Sequence, residues 1–232
     1  MSEFDGRAVV VTGGTGALGS AVVGRLLGAG AECWVPVLHE RELERFPHTD
    51  HERVRLVRGV DLRDESAVEA FFAEPASLWA SVHIAGGFSM APIEDTTLDD
   101  WRGLIDMNAT TSFLSCRSAV RRMKASGAGG RIVNVAAKPA LVPTGSMAAY
   151  AASKAAVASL TVSLAEELAG DGVWVNAVVP SIMDTPANRR AMPDADHDRW
   201  PSVDDVAATI AFLASPVNRA TRGGLIPVYG RS

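Results

Sequence analysis

Seven short runs of apolar, mostly β-branched residues punctuate the chain at Ala8–Val11, Glu32–Leu38, Val54–Val60, Leu78–Ala85, Arg131–Val135, Val173–Val179 and Leu225–Val228, with helical patterns between them. Continuous apolar runs of this length belong to strands covered on both faces. Strands separated by helices return to the same sheet through right-handed crossovers, which makes the sheet parallel. The expected fold class is therefore α/β: a single Rossmann-type, doubly wound domain with a roughly seven-stranded parallel sheet flanked by helices. At 232 residues, 47% hydrophobic and 21% charged, the chain suffices for one large core, and residues 1–232 are expected to form one domain.

The first strand runs into Thr12-Gly13-Gly14-Thr15-Gly16-Ala17-Leu18-Gly19-Ser20, followed by an amphipathic stretch from Ala21 to Ala29 without proline. Within this strand, turn and helix, Gly14, Gly16 and Gly19 have the GxGxxG spacing. That spacing permits a tight turn, close approach of backbone to a pyrophosphate, and close packing of helix on strand. The helix start adds free N–H groups and a positive dipole end. Gly13, Gly14, Thr15, Gly16, Ala17, Leu18 and Gly19 are accordingly expected to bind a dinucleotide, NAD(H) or NADP(H). An acid near the tip of the second strand would hold the ribose 2′-OH of NAD. The chain reads Val37-Leu38-His39-Glu40-Arg41-Glu42 there, with no Asp at the tip. His39 and Arg41 suit an NADP 2′-phosphate, and Glu40 suits NAD if the register slips by one, so both cofactors stay open.

Far along the chain, Tyr150 and Lys154 lie four apart in an Ala-rich run from Ala148 to Ala169 free of Gly and Pro. On a helix both project from one face. An ammonium beside a phenol favours the phenolate and brings it toward the working range for passing a proton to a substrate oxygen or nitrogen.

Other function classes are excluded by composition. A net charge of −5, with no basic cluster beyond Arg121-Arg122-Met123-Lys124, argues against a nucleic-acid surface. Two cysteines, Cys33 and Cys116, are too few and too distant for a disulfide framework, and the five His lack ligand spacing, so no metal is expected. The acidic start Met1-Ser2-Glu3-Phe4-Asp5 is no signal peptide, and no apolar run is read as membrane-spanning, which makes a cytoplasmic protein the expectation.

The glycine turn together with the distant Tyr-x-x-x-Lys resembles the short-chain dehydrogenase/reductase family over nearly the whole chain. The resemblance implies hydride transfer to or from a nicotinamide, with Tyr150 as acid/base and Lys154 tuning it and holding the nicotinamide ribose. It implies that Asp61, with Leu62, meets the adenine, and that Ala85, Gly86 and Gly87 lie against the nicotinamide ribose where many members have Asn-Asn-Ala-Gly. Asn108, in a long helix starting at Thr96-Thr97 and reaching about Lys124, implies a bend in the helix and a proton relay; Asn is a poor residue for a helix interior. Pro180, Ile182 and Thr185 fall in the loop that holds the nicotinamide carboxamide. Residues 181–202 read as a lid over a small-molecule substrate, with Phe88 a pocket residue and Arg189 or Arg190 able to meet an acidic or carbonyl group. Members commonly form homodimers or homotetramers through their long helices.

One departure is informative. Thirteen residues before Tyr150 the family usually has a serine that donates to the substrate carbonyl, and here the residue is Ala137. Losing such a donor typically costs about 100- to 1000-fold in rate for an ordinary carbonyl. Three readings follow: a non-catalytic dinucleotide-binding protein; a ketone reductase or alcohol dehydrogenase in which Thr144 or Ser146 supplies the hydroxyl; or a substrate already electrophilic. The third fits a closer resemblance to the quinonoid dihydropteridine reductases, carried by Gly14–Ser20, Ala85-Gly86-Gly87, Ala137–Leu141, and Asp184–Asp196 with Trp200.

Overall fold

The computed structural model describes residues 2–232. Seven strands, β1 (Ala8–Thr12), β2 (Glu32–Val37), β3 (Val54–Arg58), β4 (Ala80–His83), β5 (Gly130–Val135), β6 (Val173–Pro180) and β7 (Leu225–Val228), form one sheet in the order β3-β2-β1-β4-β5-β6-β7. Every pairing is parallel. The helices are α1 (Ala17–Gly28), α2 (Glu65–Ala73), α3 (Leu98–Leu104), α4 (Thr111–Ser126), α5 (Ala148–Glu167), α6 (Pro186–Ala191) and α7 (Val203–Ala214).

Alternate residues of β1 serve opposite faces, as a strand's period of two requires. Val9 and Val11 pack with Val22, Leu26, Val206 and Ile210 of α1 and α7, while Val10 joins Phe71, Leu114 and Met123 of α2 and α4. Side chains cap three of the helices: Asp64 accepts from the amides of Ser66 and Ala67, and Thr97 and Ser202 form capping boxes with Asp100 and Asp205.

Two expectations change. The long helix from Thr97 is interrupted by a π-helical segment, Ile105–Thr110, between α3 and α4. And α5, whose mean hydropathy reaches 1.2 over an 18-residue window, is by length and composition apolar enough to cross a membrane. It is a core helix here, burying Ser153, Lys154, Val157 and Thr161 against the rest of the fold.

Candidate active site

The strand order reverses direction at β1: the chain goes outward to β2 and β3, then crosses to β4. The carboxyl ends of β1 and β4, with Thr12 beside His83, therefore diverge and leave a crevice between their loops. A cleft of about 1210 Å³ opens there, walled by the glycine turn, the tip of β2 and the loops after β3 and β4.

Each glycine of the turn answers to a different constraint. Gly13 has φ +66°, and a Cβ on it would come within 2.7 Å of the Ala85 amide, so the turn is packed directly on the loop after β4. A Cβ on Gly19 would run into the carbonyl oxygen of Gly13, which locks α1 onto the turn. Gly14 is pressed against Val35 and is a packing residue outside the cleft wall. Gly16 has only the Gly13 carbonyl oxygen near its missing Cβ, at 3.4 Å, and lines the cleft. As N-cap of α1 it offers no side-chain cap, and among the described residues the amides of Ala17 and Leu18 have no partner. Exposed amides, a bare glycine and a helix N-terminus are what a pyrophosphate needs, so the residues fit a dinucleotide.

Next to the cleft residues Gly86 and Met107, Asn108 is fully buried in the π-helical segment and, like Gly87, Tyr150 and Lys154, lies off the cleft wall. Its Oδ1 accepts from the Gly87 amide at 3.0 Å, while its Nδ2 donates to the Gly87 carbonyl oxygen and to Ser153 Oγ, each at 3.0 Å. Ser153 Oγ in turn donates to the Tyr150 carbonyl oxygen at 2.8 Å. Asn108 thus ties the loop after β4 to the helix that carries Tyr150 and Lys154. Gly86 lies between the two, since a Cβ there would stand 2.5 Å from Asn108 Oδ1 and 3.2 Å from Lys154 Nζ. Lys154 Nζ donates to the Val135 carbonyl oxygen at 2.9 Å. The ring of Phe88 stands edge-on to Tyr150, with centroids 4.9 Å apart.

The proton chemistry differs from the sequence-based expectation. Burial pushes the Tyr150 phenol up to about 12 and the Lys154 ammonium down to about 8. Burial is the cause of both shifts, since it disfavours the charged form of each group.

Of the other expected residues, His39, Asp61, Leu62, Ala85 and Gly86 line the cleft. Asp61 is held by a two-pronged pairing with Arg63 at 3.0 and 2.8 Å, which lowers its carboxyl from the usual value. Glu40 pairs with Arg58 at 2.8 Å and is not on the cleft wall. Pro180, Ile182 and Thr185 also lie off the wall, and the Thr185 hydroxyl caps α6 by accepting from the Asn188 amide. Pro186, Ala187 and Arg190 face the cleft instead, and Arg189 is bound to Asp184 at 2.6 and 2.8 Å. Within the segment 181–202 the Asp184 amide donates to the Pro201 carbonyl oxygen, and from outside it the Arg231 amide donates to that of Arg199.

Sequence reasoning passed over Ser153, whose hydroxyl couples Asn108 to Tyr150, and Glu42, whose carboxylate lies on the cleft wall. Glu42 carried a visible signal, since it stands three residues after an extended His39 in the position of a capping-box acid.

Residues 7–196 match the family model described as short chain dehydrogenase. The chain belongs to the short-chain dehydrogenase/reductase family. It is 30% identical to D-threitol dehydrogenase of Mycolicibacterium smegmatis, over 98% of this chain and 93% of that one. It is 31% identical to 3beta-hydroxysteroid dehydrogenase 1 of Eggerthella lenta, over 92% and 88%. A gluconate 5-dehydrogenase from Burkholderia cenocepacia, solved with NADP and tartrate, superposes with a TM-score of 0.89 at 26% identity, covering 98% of this chain and 95% of that one. The chain is an NAD(P)(H)-dependent oxidoreductase, and the non-catalytic reading falls away. The closer resemblance to the dihydropteridine reductases is not among these relatives, which are dehydrogenases of other substrates.

Proposed function

We propose that this short-chain dehydrogenase/reductase reduces a small molecule whose reacting group is already electron-poor, a conjugated carbonyl or a quinonoid imine, with a dihydropteridine as the sharpest form of the reading. The observation that carries it is Ala137. It stands two residues beyond β5 in extended conformation, buried, with a methyl where the family's hydroxyl donor would stand. Of the two substitutes, Thr144 donates its hydroxyl to the Val142 carbonyl oxygen and is exposed, and Ser146 is exposed with no side-chain hydrogen bond among the described residues to fix its hydroxyl. A site without a fixed donor suits a substrate that needs little polarisation.

When bound, the nicotinamide supplies the hydride. This chain's residues do the rest. The Gly16, Ala17 and Leu18 backbone binds the pyrophosphate, and Lys154 with Ala85 and Gly86 bounds the space for the nicotinamide ribose. Tyr150 gives a proton to the substrate oxygen or nitrogen, and a phenol kept protonated by burial is the form that reduction needs. Asn108 positions Tyr150 through Ser153, and the Gly87 loop through its two backbone hydrogen bonds. Two buried free cysteines are compatible with a reducing cytoplasm, where we place the protein.

The test is nicotinamide oxidation with a quinonoid dihydropterin, a conjugated enone and a simple ketone, in wild type and Tyr150→Phe. The expected result is turnover of the electron-poor substrates far above the ketone, lowered by about a hundredfold or more in the variant. Faster turnover of the simple ketone, abolished by Ser146→Ala, would replace this reading with that of an ordinary ketone reductase using a substitute hydroxyl. We also propose a homodimer or homotetramer, supported by Leu98, Trp101 and Phe113 of α3 and α4, which are 60%, 40% and 47% exposed. A monomer mass by light scattering would overturn it.

A further inference from the structure

The wall between the glycine turn and the tip of β2 contains a fixed carboxylate. Glu42 Oε2 accepts from Thr15 Oγ1 at 2.9 Å, and Glu42 Oε1 accepts from the His39 amide at 2.9 Å. One bond holds it to the glycine turn and the other to the start of the short helical turn at 40–45, and both Thr15 and Glu42 line the cleft. Each oxygen retains a lone pair for a further donor.

We infer that Glu42 selects NAD(H) over NADP(H) by accepting from the adenosine ribose 2′-hydroxyl and repelling a 2′-phosphate. The inference rests on the dinucleotide reading of the cleft and adds to it the choice between the two cofactors. A hydroxyl is a donor that a carboxylate satisfies. A 2′-phosphate brings close to two negative charges and no donor, and it meets a carboxylate that is already held in place. The cations nearby do not offset this. Arg63 is spent on Asp61, and Arg58 on Glu40. Arg41 and Arg45, the strongest counter-candidates, also line the cleft but are exposed and, among the described residues, have no ion-pair or hydrogen-bond partner to fix them. His39 gives the carboxylate its backbone amide and has an exposed side chain. A carboxylate with two hydrogen bonds outweighs a solvated guanidinium that must be ordered before it can act.

The test isolates the 2′ position by direct binding, separate from turnover. Competition of 5′-AMP and adenosine 2′,5′-bisphosphate against NADH fluorescence is measured in wild type, Glu42→Gln and Arg41→Gln. Glutamine keeps an acceptor oxygen for the His39 amide and places an NH2 that can donate to the Thr15 hydroxyl while removing the charge, and an unchanged melting temperature checks that the turn survives. The expected result is a preference of about tenfold or more for 5′-AMP in wild type, reduced about tenfold in Glu42→Gln and unchanged in Arg41→Gln. Equal or tighter binding of the bisphosphate by wild type, or a preference unmoved in Glu42→Gln, would overturn the inference. If neither nucleotide competes and NADH itself fails to bind, the cofactor cleft is misassigned and the inference falls with it. NADH binding together with bisphosphate preference refutes Glu42 alone.

Discussion

His83 is fully enclosed at the end of β4. Its Nε2 is 2.7 Å from Ser81 Oγ and its Nδ1 is 2.8 Å from Asn134 Oδ1, while Asn134 Nδ2 donates to Thr161 Oγ1 at 2.9 Å. This polar chain runs through the sheet into α5 just below the site, where burial lowers the His83 imidazole to about 4. The ring is therefore neutral in the fold, whereas in the unfolded chain it titrates near its ordinary value of 6.5. Between those two values the unfolded state binds more protons, so stability rises with pH across the window and is lost as pH falls through it. The loss is on the order of 3 kcal/mol for complete titration. His83→Asn retains an amide that can meet Ser81 and Asn134 but does not titrate. Urea unfolding at pH 7.5 and pH 5 should show wild type losing more stability than the variant between the two conditions. Equal losses would mean that the ring is reached by water.

At the scale of elements, the turn between β1 and α1 rests on the Gly19 contact with Gly13. Gly19→Ala puts a methyl into backbone atoms, which cannot swing aside as a flexible side chain would. The expected cost is roughly 2–4 kcal/mol, with weakened cofactor binding because α1 must lift from the turn. Chemical denaturation and NADH titration check both, and an alanine variant of native stability would show that the helix shifts without penalty. The strands were largely legible in the sequence: β7 lies at its expected residues, and the others differ only at their ends, because both-face burial leaves continuous apolar runs. The π-helical segment was foreshadowed only by Asn108, whose low helix propensity marks a disturbance but not its form. Ser153 was not legible as a site feature, because its role depends on a partner 45 residues away, and Glu42 was legible only as a capping-box acid, its tie to Thr15 spanning 27 residues. The upward shift of the Tyr150 phenol was not legible because four-residue spacing reveals a shared helix face but not its burial.

At the scale of the molecule, the cleft draws its wall from both halves of the sheet. Thr15, Gly16, His39 and Asp61 come from the β1–β3 half, and Ala85, Gly86, Met107 and Thr111 from the half that begins at β4, with Pro186 and Arg190 reaching in from the segment 181–202. A dinucleotide bound there touches both halves, so unfolding either one releases it. Ligand that binds only the native state stabilises by RT ln(1 + [L]/Kd), about 2.7 kcal/mol at one hundred times Kd. For a chain of this length that corresponds to a rise in Tm of roughly 5–10 °C. Scanning calorimetry with the preferred cofactor at that excess should show a single transition moving as a whole. Two transitions, of which only one moves, would mean that the cofactor is held by the glycine-turn half alone and that the loop after β4, with the Asn108 hydrogen bonds behind it, does not share in binding.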